Sequence, residues 1–201
     1  MSVLQKLTVA DFATFTGLFF AWLSIVLLMK GQPNWAIVVI MIAFAFDLLD
    51  GFIARKSQQD SAFGRLLDSY GDVFIYLVFS SMLFVFYLSP SMVVGLFIGF
   101  LILVFGGLRL ARFNLEGMKR EKDRAYYRGM TVVHILFLTI ICYFLSRLTR
   151  VWTANLSTLT LLIASPAMIS NYKSYKIEKY WLFALVVFSV IVTSFIVEYA
   201  Y

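Results

Sequence analysis

The chain has 201 residues, of which 62% are hydrophobic and only 14% charged, with a formal net charge of +6. That composition lies outside the range of soluble domains and inside that of multi-pass membrane proteins. It leaves no room for a separate soluble domain, because the longest mainly polar stretch, about Asn114 to Arg128, is too short to bury a core.

In chain order, residues 1–10 set Val3, Leu4 and Leu7 beside Lys6, the pattern of a short interfacial segment. Seven apolar runs follow, at roughly 12–29, 34–54, 62–88, 91–111, 130–146, 152–170 and 180–199, each near the ~20 residues that a bilayer requires. No small-residue cleavage site closes the first run, so it reads as a retained helix. The outer turns carry Gly31, Pro33 and Pro90, ordinary helix stops. Asn155, Ser157, Thr158, Thr160 and Pro166 dilute the sixth run and make it the weakest. Trp35, Trp152 and Trp181 fall at predicted helix ends, as interfacial anchors do. Cys142 is the single cysteine and lies in an apolar run, which excludes a disulfide framework and a thiolate metal site. His134, the single histidine, reads as a packed polar residue just inside the fifth run.

The cations then determine orientation. With a cytoplasmic N-terminus, the inner segments hold Lys6; Arg55, Lys56 and Arg65; Arg109, Arg112, Lys119, Arg120, Lys122, Arg124 and Arg128; and Lys173, Lys176 and Lys179, fourteen in all. The outer side keeps Lys30, Arg147 and Arg150. A 14 to 3 split selects N-in and C-out, and it accounts for the positive charge without a nucleic-acid partner. The expected architecture is an all-α, multi-pass bundle of about seven transmembrane helices, one membrane domain over residues 1–201.

Against this background four aspartates stand out: Asp47, Asp50, Asp68 and Asp72. A carboxylate at membrane depth costs at least a few kcal/mol, and several together also repel one another. Asp47 and Asp50 are three residues apart at the cytoplasmic end of the second run, and Asp68 and Asp72 four apart in the third, so each pair shares a helix face. If the two faces meet, four carboxylates converge in a cavity opening to the cytoplasm. Oxygen ligands select hard cations, Mg2+ or Mn2+ with Ca2+ as another occupant, and two facing pairs suit a two-metal clamp on a phosphoryl group. Gly51, Ala54 and Gly64 leave room for a bulky ligand or for close helix packing, and Arg55 has the chemistry to bind a diphosphate.

The pattern Asp47-x2-Asp50-Gly51-x2-Ala54-Arg55-x8-Gly64-x3-Asp68-x3-Asp72 resembles the signature of the CDP-alcohol phosphatidyltransferases. These are integral membrane enzymes that move a phosphatidyl group from a CDP-linked lipid to an alcohol. The resemblance spans roughly residues 10–135 and implies a six-helix core, here with an added C-terminal helix, and a homodimer. It also implies two divalent cations on Asp47, Asp50 and Asp68, with Asp72 both near the metals and the general base. Gly51, Ala54, Arg55 and Gly64 would line the CDP site together with Asp50, Asp68 and Thr14, the last retained from an Asn-x-x-Thr opening in which Asp11 replaces the asparagine. A positioned carboxylate takes the acceptor hydroxyl's proton as the bond to phosphorus forms, while metals stabilise the charge on the diphosphate.

For the acceptor, GGLRLARFN at 106–114 resembles the stretch typical of members that use serine, and Tyr127-Arg128-Gly129-Met130-Thr131 resembles the segment that follows it, with threonine where proline is expected. Arg109 and Arg112 lie three apart on one helix face with Asn114 at its end, and arginine binds an amino-acid carboxylate bidentately. Lys119, Arg120, Lys122 and Arg124 read as positive-inside residues without a ligand. L-serine and a CDP-lipid are therefore the expected substrates. Glycerol 3-phosphate or an inositol phosphate is the alternative acceptor, and a divalent-cation transporter is the alternative class. A transporter explains four acids but not the small residues and arginine spaced between them.

Overall fold

A computed structural model describes residues 8–57, 62–117, 119–121, 124–149, 151–175 and 180–200. Residues 1–7 of the expected interfacial segment, 1–10, lie outside the described residues, and so do the side chains of Arg55, Lys119, Arg120, Lys122 and Arg124.

Helix α1, Val9–Met29, opens with a capping box: Thr8 N donates to Asp11 Oδ2 at 2.6 Å and Asp11 N donates to Thr8 Oγ1 at 3.4 Å. Asp11 is thus engaged with the helix start, where its charge also suits the dipole. A tight turn through Gly31, whose φ of +76° favours glycine, leads to α2, Pro33–Ser57, with proline at the first helical position. Next come α3, Ala62–Asp72, a π-helical stretch, Val73–Val78, and α4, Phe79–Tyr87. Asp72 and Val78 at the two junctions keep right-handed helical dihedrals, so the three pieces form one continuous rod. Helix α5, Met92–Glu116, is capped by Ser91 and stopped by Gly117. Strands β1, Lys119–Glu121, and β2, Arg124–Arg128, precede α6, Val132–Leu148, and α7, Ala154–Ala167; β3, Lys173–Tyr175, and α8, Tyr180–Ala200, complete the order.

Among the described residues five helical spans are long and apolar enough to cross a membrane: α1, α2, the α3–α4 rod, α5 and α8. The chain is a multi-pass membrane protein. The sixth apolar run differs from expectation. It forms a 14-residue helix, about 21 Å long and short of the ~30 Å hydrocarbon core. Thr153 caps its start, and after Pro166 the bonds from Met168 N to Ser165 O and Ile169 N to Pro166 O tighten the last turn before the chain leaves for β3.

The sheet was not expected at all. β2 pairs antiparallel with β1 and with β3, Tyr126 opposing Lys119 on one side and Tyr175 on the other. This pairing brings the loop after α5 and the loop after α7 to the same end of the bundle, as the expected membrane sidedness requires.

Between lipid-soluble helices, apolar burial gives little net drive, and small residues set how closely backbones approach. At Gly17 a Cβ would stand 3.3 Å from the Ala43 carbonyl, and at Gly106 it would overlap Leu77. Ser81 uses the close approach of α4 and α5 to donate to the Gly99 carbonyl at 3.0 Å. The centre of the bundle is Phe44, whose ring meets Tyr76 edge-on at 6.2 Å, Phe137 at 5.4 Å and Phe183 at 6.2 Å. One side chain of α2 thereby ties together the π-helical stretch, α6 and α8.

Candidate active site

The last three turns of α2 and the first three of α3 carry the acids. One carboxylate oxygen from each of Asp47, Asp50 and Asp68 lies within 4.8 Å of the others. The two helix faces do meet. Asp72 lies one turn beyond Asp68 on α3 and interacts electrostatically with Asp47 and Asp68. Two ionised carboxylates 4.8 Å apart repel by about 3.5 kcal/mol at an effective dielectric of about 20. Only a shared proton or a cation relieves a repulsion of that size, and an all-oxygen donor set fits a hard divalent ion. Neither Cys142, inside α6, nor His134 belongs to the cluster.

Thr14 reaches the site from α1. Its hydroxyl donates to Asp50 Oδ2 at 2.6 Å, which orients that carboxylate and leaves its other oxygen for a ligand. Gly71 permits the approach: a Cβ there would stand 3.3 Å from the Thr14 methyl. Gly51 follows Asp50 directly and is half-buried, as are Ala54, one turn further along α2, and Gly64 in the first turn of α3. These small residues flank the acids on the two helices that carry them.

The α5 residues separate into different tasks. Arg109 is 6% exposed, with its guanidinium 5.3 Å from the Phe113 ring centroid and 5.6 Å from that of Tyr127. Its charge acts on Asp72. Arg112, grouped with it in the sequence, has another occupation. Nη1 donates to the Ile169 carbonyl at 2.9 Å, and Nη2 to those of Arg128 at 2.6 Å, Met168 at 3.2 Å and Ser170 at 3.3 Å. Both terminal nitrogens thus bond to carbonyls at the end of β2 and just after α7. Gly129 makes this junction possible, with a φ of +77° and no space for a Cβ beside Met168 O and Arg112 Nη2. Asn114 pairs with Ser69 of α3, donating from Nδ2 at 3.0 Å, and so joins α5 to the acid-bearing helix.

A small pocket is lined by Arg109, Arg112, Phe113, Tyr127 and Arg128 and by Glu116, which pairs with Arg128 at 3.6 Å. His134 does not pack inside: it is exposed in the first turn of α6, with Nδ1 2.6 Å from Thr131 Oγ1. Sequence reasoning missed Tyr76, whose hydroxyl donates to Asp47 Oδ2 at 2.5 Å. The available signal was spacing, since Asp68, Asp72 and Tyr76 recur every four residues.

Comparison with known proteins points to one family. A family model described as CDP-alcohol phosphatidyltransferase matches residues 7–190. A CDP-diacylglycerol–serine O-phosphatidyltransferase of Helicobacter pylori is 27% identical over 173 residues, 83% of this chain and 72% of that protein. An archaetidylserine synthase of Methanothermobacter thermautotrophicus is 35% identical over 96 residues, 47% of this chain and 41% of its own. A CDP-diacylglycerol–serine O-phosphatidyltransferase of Saccharomyces cerevisiae is 28% identical over 151 residues, 69% and 54% of the two chains.

Proposed function

This chain belongs to the CDP-alcohol phosphatidyltransferase family, and from that premise we propose that it transfers a phosphatidyl-type group from a CDP-lipid to L-serine, releasing CMP, at a site facing the cytoplasm. The family uses divalent cations, and the donor set of Asp47, Asp50 and Asp68 suits them. Two Mg2+ or Mn2+ ions held there, with Asp72 adjacent, would neutralise the diphosphate and its developing charge.

In this reading Asp72 accepts the proton of the serine hydroxyl. The serine oxygen forms a bond to the β-phosphorus while the bond from that phosphorus to the bridging oxygen breaks, and CMP leaves with the bridging oxygen. Thr14 keeps the Asp50 carboxylate oriented. Gly51, Ala54 and Gly64 border the space for the CDP half, and Arg55 has the chemistry to bind its diphosphate. The observation that carries the serine assignment is Arg109: a guanidinium buried between two aromatic rings and close to Asp72 presents a fixed fork to a substrate carboxylate. Phe113 and Tyr127 exclude water from that contact, while Arg112 and Asn114 hold the surrounding helices rather than the substrate. Cytoplasmic facing is supported by the 14 to 3 distribution of cations, and the homodimer implied by the resemblance belongs to the same proposal.

The test is a panel of acceptors. Purified protein with a CDP-lipid and Mg2+ or Mn2+ is expected to release CMP with L-serine and far more slowly with glycerol 3-phosphate or inositol phosphate. Preference for a phosphorylated acceptor would overturn the serine assignment while leaving the reaction type intact.

A further inference from the structure

Tyr76 is 1% exposed, lies on the π-helical stretch directly after Asp72, and has its ring packed edge-on against Phe44. Its hydroxyl donates to Asp47 Oδ2 at 2.5 Å, and the charges of Asp68, Asp72 and Arg109 also act on it. Tyr87, at the opposite end of the same rod, spends its hydroxyl on a backbone carbonyl, that of Leu28 at 2.8 Å. The two tyrosines differ in what they hold. One joins a helix to a helix; the other joins a helix to a member of the acid cluster.

The wide turn explains how Tyr76 comes to face the acids. Four residues overshoot an α-helical turn of 3.6 and undershoot the wider turn closed by i→i+5 bonds. The angular drift from Asp68 to Asp72 is therefore reversed from Asp72 to Tyr76, and the three side chains stay on one face. The carboxylate torsion of aspartate is broad, so an unrestrained Asp47 among like charges would turn away from them. A neutral donor on one oxygen removes that freedom without introducing a competing cation.

We propose that Tyr76 is a positioning residue for Asp47, holding Oδ2 so that the other oxygen is presented to a divalent cation shared with Asp50 and Asp68. This rests on the metal reading of the acids above. Tyr76→Phe removes only the hydroxyl and leaves the ring against Phe44.

The experiment titrates Mn2+ into detergent-purified protein without CDP-lipid, with free Mn2+ followed by electron paramagnetic resonance. Tyr76→Phe is expected to bind Mn2+ about tenfold or more weakly than the unaltered protein. The Mn2+ concentration needed for half-maximal CMP release should rise in parallel, with turnover largely restored at saturating Mn2+. Tyr87→Phe is the matched control: the same atom is lost, the thermal midpoint falls, and the Mn2+ titration stays put. Unchanged Mn2+ affinity in folded Tyr76→Phe, or an equal weakening in Tyr87→Phe, overturns the role of Tyr76 alone. No Mn2+ binding by the unaltered protein overturns the metal reading, and this role with it.

Discussion

The two ends of the bundle treat polar groups in opposite ways. At the end away from the sheet, Tyr143 donates to Asn34 Oδ1 at 2.9 Å, Asn34 Nδ2 donates to Glu198 at 2.7 Å, and Arg147 stands over the Tyr143 ring at 5.4 Å. Donors meet acceptors and the acid has a neutral partner, which is what a junction between α2, α6 and α8 requires for rigidity. At the sheet end like meets like: three carboxylates within 4.8 Å, a fourth one turn further along α3, and a guanidinium whose charge acts on it. The first arrangement is complete as a protein structure. The second gains from a ligand, and that contrast separates a structural polar cluster from the proposed catalytic one.

Breaking the sheet-end cluster has the largest expected effect. Asp68→Ala should reduce CMP release to background in membranes supplied with CDP-lipid, serine and Mg2+ or Mn2+, while the protein still inserts; substantial turnover would remove Asp68 from the metal site. An intermediate effect is expected from Arg109→Lys, which keeps the charge but loses the fork. The loss of one charged hydrogen bond predicts an increase in KM for serine of about 10- to 100-fold, with KM for the CDP-lipid nearly unchanged. Equal effects on both substrates would recast Arg109 as a packing residue. The smallest catalytic effect should come from the opposite end. Asn34→Ala leaves the Tyr143 hydroxyl and Glu198 without this partner, costing about 1–3 kcal/mol. It should lower the thermal midpoint in detergent by several degrees and leave turnover per folded molecule alone.

Much of this could be read along the chain. Aspartates three and four residues apart on two adjacent apolar runs already define two helix faces, and the short connection between the runs forces those faces to be neighbours. Membrane class and the all-α bundle followed from apolar length, and the distribution of lysine and arginine supports the proposed sidedness. What escaped notice involved partners far apart in sequence. Arg109 and Arg112 are alike in type and spacing. Their tasks differ because Phe113 and Tyr127 enclose the first while the carbonyls of residues 128 and 168–170 receive the second. The sheet was hidden for the same reason: β2 finds β3 across two intervening helices. Tyr76 depended on a local irregularity, since a π turn leaves no signature that apolar periodicity reveals.

Amino-acid order was enough to specify which residues had to be expensive in a bilayer, because the cost of a buried carboxylate belongs to the residue and its depth. Order also carries the expected side of the membrane, through the placement of lysine and arginine. Tertiary packing alone selected the residues that make those carboxylates useful: Thr14 for Asp50, Tyr76 for Asp47, and Arg109 rather than Arg112 beside Asp72. Hydrogen bonds and ring contacts act over a few ångströms in space, and nothing in a one-dimensional pattern determines which distant side chains come within that reach.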